Sequence, residues 1–226
     1  MLLASEGRFS FSQLLETISV EFRRGYNTGQ RIEISEGIIY YEAAAKKTTL
    51  DVAAPIRQWM QVRKNEILIY YAKEKCAFRI FSKNPLSMEF FEAFLSVMKD
   101  DYGLSEFGYK MESYEVRGGK LASNWVPPLA MSKILGPISI EFQDNRIAQI
   151  DVKRPDGKTL SKLAFSNHVQ FGSIYFPLEI RITRYLPAEV ITESIQYKNP
   201  RFNIPLPKEI VNLEIPPDIP VKEFEW

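Results

Sequence analysis

Apolar residues occupy every second position along the segment from Arg154 to Ile182, and this spacing predicts strands with one apolar face. Asp156-Gly157 interrupts the alternation with a pair that is typical of a tight turn between strands. In the last predicted strand the apolar side consists of Ile174, Phe176, Leu178, Ile180 and Ile182. The segment therefore predicts antiparallel strands that bury one face and expose the other.

Shorter runs with the same alternation occur along most of the chain. Ile18, Val20 and Phe22 alternate with polar residues, and this run ends at the turn-forming residues 26–29. Further strands are predicted at 31–35, 37–42, 48–52, 58–62, 67–71, 77–81, 107–116, 138–142, 147–152 and 191–197. Many short strands with close turns are typical of an antiparallel sheet.

Two segments have the spacing of helices instead. A short helix is predicted near Ser10 to Glu16. A longer one opens at Asn84-Pro85, a cap residue followed by a first-turn proline, and Gly103 ends it. Its apolar stripe consists of Leu86, Phe90, Phe91, Phe94, Leu95 and Met98. Because neither apolar surface is stable in water, this helix is expected to lie across the apolar face of the sheet.

Length and charge narrow the class of protein. The 226 residues, 45% of them apolar, are sufficient for one large domain spanning 1–226. The 29 Lys and Arg against 28 Asp and Glu are interspersed, which argues against nucleic acid as a partner. Apolar runs are too short to cross a bilayer. The start MLLASEG lacks the features of a signal peptide, so we expect such a peptide to be absent or trimmed.

The C-terminal segment, about 200–226, has its own composition. It holds six of the 14 prolines, at positions 200, 205, 207, 216, 217 and 220. Proline lacks a backbone N–H and cannot complete a strand ladder. We therefore expect an edge strand and an extended tail that wraps the domain.

The residues that usually carry catalysis are sparse. The single histidine, His168, follows Ser166-Asn167 and is expected in a solvated turn between two strands. No acid is placed to orient it, so a hydrolase based on His168 and Ser166 is a distant alternative. Cys76, the only cysteine, is expected to be a partly buried thiol on a strand. We expect no catalytic residue, no metal site and no cofactor.

Aromatic side chains are plentiful, with 15 Phe, 11 Tyr and 3 Trp. Two interpretations are equally open at this point. The rings can simply fill the core between sheet and helix. Alternatively, they line a cleft between the sheet and the helices that admits an apolar ligand.

The order of several short motifs resembles the bacterial outer-membrane lipoprotein carriers of the LolA type and their LolB-containing superfamily. An amphipathic N-terminal helix leads into the alternation at 18–22, and Gly37 is followed by Ile38-Ile39-Tyr40-Tyr41 as in the family's second strand. Similar motifs follow at Pro55, 58–62, Asn65, 67–71, 121–128, 156–165 and 202–205. The resemblance covers most of the chain.

The resemblance implies an α+β, β-rich fold in which a curved antiparallel sheet forms an incomplete (half) barrel, covered on its concave face by a few helices. It implies a non-catalytic periplasmic carrier, expected to be a monomer, that binds the acyl chains of lipoproteins or of lipids. Membrane-bound donor and acceptor proteins would be its partners. The expected apolar lining consists of Phe22, Trp59, Ile69, Tyr71, Phe90, Phe94, Phe176 and Ile180.

The residues after the second-strand motif differ from those of the carriers. The carriers often have an arginine and a proline just after the second-strand motif, and that arginine helps to hold the helical lid shut. Here Glu42 and the alanines 43–45 follow Tyr41, which does not support a latch of that kind. The alternative is a protein-interaction or sensor module of the same fold, in which the protein's own side chains fill the groove.

Overall fold

The computed structural model describes residues 15–63, 65–81 and 101–225. Within these ranges the chain forms fourteen strands that belong to a single sheet. Their bounds are β1 Thr17–Asn27, β2 Ile32–Glu42, β3 Lys47–Ala54, β4 Gln58–Arg63, β5 Glu66–Tyr71, β6 Cys76–Phe81, β7 Lys110–Arg117, β8 Lys120–Val126, β9 Ile138–Gln143, β10 Arg146–Lys153, β11 Thr159–Phe171, β12 Ile174–Tyr185, β13 Val190–Phe202 and β14 Val221–Glu225.

The strand order across the sheet is β14-β6-β5-β4-β3-β2-β1-β13-β12-β11-β10-β9-β8-β7. Two antiparallel meanders, β1 to β6 and β7 to β13, join where β1 pairs with β13. All pairs are antiparallel except that of β14 with β6. Neighbours along the chain are thus neighbours in the sheet, as short turns favour.

The described part of the chain is strand-rich, with a large, open, curved sheet, and this confirms the predicted fold class at that level. Helical residues in the described ranges are few. They form two short 3-10 turns at Leu104–Phe107 and Leu129–Met131 and one short helix, α1, at Lys208–Val211. The helix predicted from Asn84 onward lies outside the described residues until its last turn, and the helix predicted near Ser10 to Glu16 lies outside them up to residue 14.

One face of the sheet, here called the core face, carries the hydrophobic core. Strand β12 shows the predicted alternation, with Ile174, Phe176, Ile180 and Ile182 all buried. The same cluster includes Phe165 from β11 and residues of β1, β2, β9, β10 and β13. The opposite face is called the outer face below.

Three local predictions need correction. The two strands predicted at 31–35 and 37–42 form one continuous strand, β2. The strand predicted from Phe107 starts at Lys110, because residues 104–107 form a 3-10 turn closed by Gly108. His168 lies in the middle of β11 opposite Pro177, not in a turn, since the hairpin turn falls at Gly172.

The C-terminal segment follows the expected course. Strand β14 forms one edge of the sheet, as predicted for the proline-rich end. Before it, the buried side chains of Ile210 and Ile219 anchor the extended stretch. The ammonium of Lys47 donates a hydrogen bond to the carbonyl of Val211 at 3.0 Å, which ties this stretch to the sheet.

Candidate functional site

The core face continues as an apolar surface across the first six strands. Register places a row of apolar residues side by side, one from each strand in turn: Val20, Ile39, Leu50, Met60, Ile69 and Phe78. Val20, Ile39 and Leu50 are buried, whereas Met60, Ile69 and Phe78 are only partly buried. The part of this face on β4 to β6 is therefore apolar but incompletely covered.

Five of the eight predicted lining residues lie on the core face. Phe22, Phe176 and Ile180 are deeply buried members of the core cluster. Ile69 and Tyr71 are partly buried and follow one another on the same side of β5. The ring of Tyr71 meets that of Phe78 edge-on, with centroids 6.0 Å apart. Phe90 and Phe94 lie outside the described residues.

Trp59 is the exception, because it lies on the outer face. It is the neighbour of Met60 on β4, and Met60 packs against the core. The indole N–H donates to the carboxylate of Asp51 at 2.8 Å, and the ring meets that of Tyr70 edge-on. Successive strand residues point to opposite faces, so Trp59 and Ile69 do not share a surface.

Over β11 to β13 the core face is filled by the protein's own rings. Phe171 stacks on Phe202 with centroids 4.5 Å apart, and Phe176 packs edge-on against Phe202 at 5.8 Å. Phe176 also contacts Tyr197 at 5.4 Å. Such ring pairs stabilise by about 1 kcal/mol each beyond the area that they bury. This half of the face is a packed core.

A charged cluster lies at one end of the core face. The carboxylate of Glu193 on β13 accepts a hydrogen bond from the guanidinium of Arg24 on β1. It also accepts one from the guanidinium of Arg184 on β12, at 3.3 Å. The Glu193 side chain is 1% exposed, whereas those of Arg24 and Arg184 are 30% and 22% exposed. The Arg24 guanidinium also lies 5.4 Å from the ring centre of Tyr26.

The cluster compensates an ionised side chain that would be costly to bury alone. Two guanidiniums around one carboxylate leave a formal charge of +1 among these three groups. Burial raises the pKa of the nearby Tyr197 phenol far above its usual range, and the negative charge of Glu193 adds to the effect. The cluster was not predicted, because Arg24 lies far from Arg184 and Glu193 in the sequence.

Ser166 and His168 have different partners in the structure. The Ser166 hydroxyl lies 3.2 Å from the carboxylate of Glu179, across the β11–β12 ladder. Burial lowers the pKa of His168, a backbone hydrogen bond with Ile147 raises it, and the charge of Arg146 lowers it. Both residues lie on the outer face, opposite Glu179 and Pro177, away from the apolar core.

Among the described residues, no three His, Cys, Asp or Glu side chains converge as metal ligands would. None of the helices in the described ranges is long and apolar enough to span a membrane. A cleft of about 560 Å³ opens where β1, β2, β12 and β13 end, beside Ile32 and Ile34, and none of the eight predicted lining residues borders it.

Neither protein-family models nor curated protein sequences yield a match to this chain. Solved structures, by contrast, match its fold. A DUF1329 family protein from Desulfovibrio piger superposes with a TM-score of 0.62 at 14% identity, over 88% of this chain and 90% of that one. A LolA superfamily protein from Nitrosomonas europaea gives a TM-score of 0.58 at 9% identity, over 87% and 90%.

A third match has the same extent. A domain from Vibrio parahaemolyticus, named for outer-membrane lipoprotein sorting, gives a TM-score of 0.58 at 11% identity, over 88% of this chain and 90% of that one. At such low identities the likeness concerns the fold alone. The chain has a LolA-like fold, as the motifs predicted.

Proposed function

We propose that this protein is a non-catalytic carrier that binds the acyl chains of a lipoprotein or lipid on the core face of its sheet. The observation that carries the proposal is the uneven filling of that face. Over β11 to β13 it is packed with the protein's own rings, whereas on β4 to β6 Met60, Ile69, Tyr71 and Phe78 form an apolar surface that is only partly buried.

Such a surface fits a chain of methylenes better than it fits water. Burying a methylene contributes about 0.8 kcal/mol, so an acyl chain of ordinary length gains several kcal/mol even after the cost of ordering it. Because no bond is made or broken, release needs only that the cover over the groove opens. The proposal keeps the expectation from the sequence that a few helices close the half-barrel and that Phe90 and Phe94 contribute to the apolar lining.

The setting proposed for this activity is the periplasm, with membrane-bound proteins as donor and acceptor and with a monomeric carrier. The LolA-like fold supports this setting, as does the Vibrio parahaemolyticus match, whose name refers to lipoprotein sorting. The packed part of the core face supports reversible binding, because its own rings keep the scaffold folded when the ligand leaves.

The experiment measures displacement of a fluorescent fatty-acyl probe from delipidated protein. Ile69 and Tyr70 are adjacent on β5 but face opposite sides, so they make a matched pair. Ile69→Ser should weaken probe binding about tenfold, since it removes a large apolar side chain from the surface. Tyr70→Ser should leave binding unchanged. A folded protein that binds no probe and yields no lipid in an organic extract would refute the carrier.

A second candidate is an interaction or sensor module whose groove is permanently filled. The stacked Phe171 and Phe202 favour it, because they show that this sequence can fill part of the face with its own rings. In that case both Ile69→Ser and Tyr70→Ser would leave probe binding negligible. A protein partner recovered from cells would then identify the target.

A further inference from the structure

Exposed apolar residues concentrate at one end of the sheet. This end, here called the turn rim, holds six hairpin connections with their flanking residues: 28–34, 54–57, 72–75, 127–137, 153–158 and 185–190. Nine of the seventeen exposed large apolar side chains in the described residues lie there. The most exposed are Leu129 at 90%, Ile32 at 72%, Ile134 at 71% and Ile56 at 54%. Leu186 and Val190 extend the row.

The opposite end of the sheet is different. Its described connections are 43–46, 118–119, 144–145 and 172–173, built from Ala, Gly, Lys, Asp, Asn and Ser. None of these turns contains a large apolar residue, and within three residues on either side of them the exposed large apolar residues are Val116 and Leu121. Both ends serve the same sheet and face the same solvent, so turn formation alone does not require the apolar residues of the turn rim.

The turns of the rim are bound to one another. The phenol of Tyr109 donates to the carbonyl of Gly136 at 2.9 Å, and the amide of Lys153 donates to the carbonyl of Pro137 at 3.0 Å. The guanidinium of Arg154 donates to the carbonyl of Tyr185, which links the β10–β11 turn to the β12–β13 turn. These bonds hold the β8–β9 loop and its exposed residues in place as a preformed surface.

The turn rim is also more basic than the chain as a whole. Its six ranges contain eight Lys or Arg and four Asp or Glu, against a formal charge of +1 for the entire protein. Two of the acids are paired within the rim, Glu33 with Arg31 at 2.6 Å and Asp156 with Lys158 at 3.9 Å. Lys133 lies beside Ile134 in the β8–β9 loop and is exposed.

We infer that the turn rim docks onto an anionic lipid surface. The exposed apolar side chains form small groups on four of the six turns, and the other two turns, 72–75 and 153–158, hold five Lys or Arg. Groups divided in this way differ from the contiguous patch that a protein partner buries. A bilayer interface accepts such scattered side chains, because each can enter the fluid boundary separately. The basic residues meanwhile attract anionic head groups. The basic residues and the exposed apolar residues thus both favour an anionic lipid surface as the partner.

The inference is independent of the acyl-carrier proposal, since it uses no residue of the groove surface. The two are nevertheless neighbours in the fold. Arg24 and Arg184 of the charged cluster lie at the end of the core face that meets the turn rim. Docking would place that end of the core face against the membrane.

Co-sedimentation with lipid vesicles tests the inference. The full chain should bind vesicles of phosphatidylcholine mixed with phosphatidylglycerol, and bind phosphatidylcholine vesicles much more weakly. Leu129→Ser combined with Ile134→Ser should reduce binding about tenfold or more, because two exposed apolar side chains no longer enter the interface. The matched control is Tyr114→Ser combined with Val116→Ser, which alters two exposed apolar residues of β7 away from the rim and should leave binding unchanged.

Charge is tested separately. Lys133→Gln should lower the affinity for the anionic vesicles about fivefold, and the loss should shrink as salt screens the head groups. The inference is overturned if the wild-type protein binds neither vesicle, or if the β7 control loses as much binding as the rim variant. It is equally overturned if the wild type is a dimer and the variant with Leu129→Ser and Ile134→Ser is a monomer, since the turn rim would then bind a second copy of the chain.

Displacement of the acyl probe without vesicles separates this inference from the carrier. The Leu129→Ser and Ile134→Ser variant should still bind the probe like the wild type. Probe binding without vesicle binding would defeat the docking inference alone. Vesicle binding without probe binding would defeat the carrier alone.

Discussion

The guanidinium of Arg184 lies 3.3 Å from the carboxylate of Glu193, a side chain that is almost closed to solvent at the end of an apolar face. Arg24 approaches the same carboxylate from β1. Strands β12 and β13 form a hairpin, whereas β1 becomes a neighbour of β13 only where the two meanders join. The cluster therefore connects the two meanders at the centre of the sheet.

Removing the charge of Glu193 should destabilise the protein. In Glu193→Gln two guanidiniums lose the carboxylate between them, and breaking a buried ion pair in this way typically costs about 3 kcal/mol or more. The free energy of unfolding in urea measures the loss. Glu189→Gln, in the exposed β12–β13 turn, is the control and should change stability by less than about 0.5 kcal/mol. Equal effects in both variants would show that the cluster does not stabilise the sheet where the two meanders join.

Gly37 should be intolerant of any side chain. A Cβ at this position would meet the backbone carbonyl oxygen of Asp51 at 2.1 Å, and backbone cannot move aside cheaply. Gly37→Ala should therefore lower the free energy of unfolding by about 2 kcal/mol or more. At Gly25 the nearest atom is the Ser194 hydroxyl oxygen at 3.0 Å, which can rotate away. Gly25→Ala should cost clearly less, and a reversed order in thermal unfolding would contradict the packing argument.

Stability should fall as the medium is acidified through the titration range of His168. Burial lowers the pKa of His168 below the ordinary value of 6.5, so the unfolded chain binds the proton more readily than the folded one. The free energy of unfolding should be constant above about pH 6.5 with respect to this group, and should decrease from there towards the folded pKa.

His168 is the only histidine, which makes the control simple. The free energy of unfolding in urea is measured for the wild type and for His168→Gln at pH values on either side of about 6.5. The decrease at the lower pH should be larger in the wild type than in the variant, because the variant lacks the imidazole. An identical pH dependence in both proteins would show that this imidazole is not the group responsible.

Lys47 should hold the C-terminal stretch against the sheet. Its ammonium lies 3.3 Å from the Glu42 carboxylate and donates to the Val211 carbonyl, and its side chain is 8% exposed. Lys47→Ala should speed proteolysis between α1 and β14, because the anchored carbonyl loses its donor. Lys46→Ala, at the exposed neighbouring position, should leave the cleavage rate unchanged. Cleavage that is equally fast in both variants would rule out this tether.

Much of the sheet follows from local pattern. The alternation from Ile174 to Ile182 predicted the burial of Ile174, Phe176, Ile180 and Ile182, because the period of a strand is two residues wherever it pairs. Pro177, expected on the exposed side, is buried as well, and Leu178 is only partly buried. The Asp156-Gly157 turn was predicted for the same kind of reason, since its conformation is set within a few residues: the φ of Gly157 is 82°.

Other assignments could not be made locally. In β4 the apolar residues Trp59 and Met60 are adjacent, so the alternation is ambiguous, and only pairing with Leu50 and Ile69 puts Met60 on the core face. His168 sits in a polar run that is typical of a turn, yet pairing with β12 extends the strand through it. In both cases hydrogen bonds to a neighbouring strand outweighed the local preference.

The sequence by itself thus determined the class of this protein: a β-rich chain with one apolar face and the motif order of a LolA-like fold. The tertiary structure alone decided what that face and its ends contain. Arg24 and Glu193 are 169 positions apart in the chain, and the turns of the rim come from six separate hairpins. Strand alternation is local and can be read along the chain, whereas ion pairs and surfaces depend on which strands become neighbours.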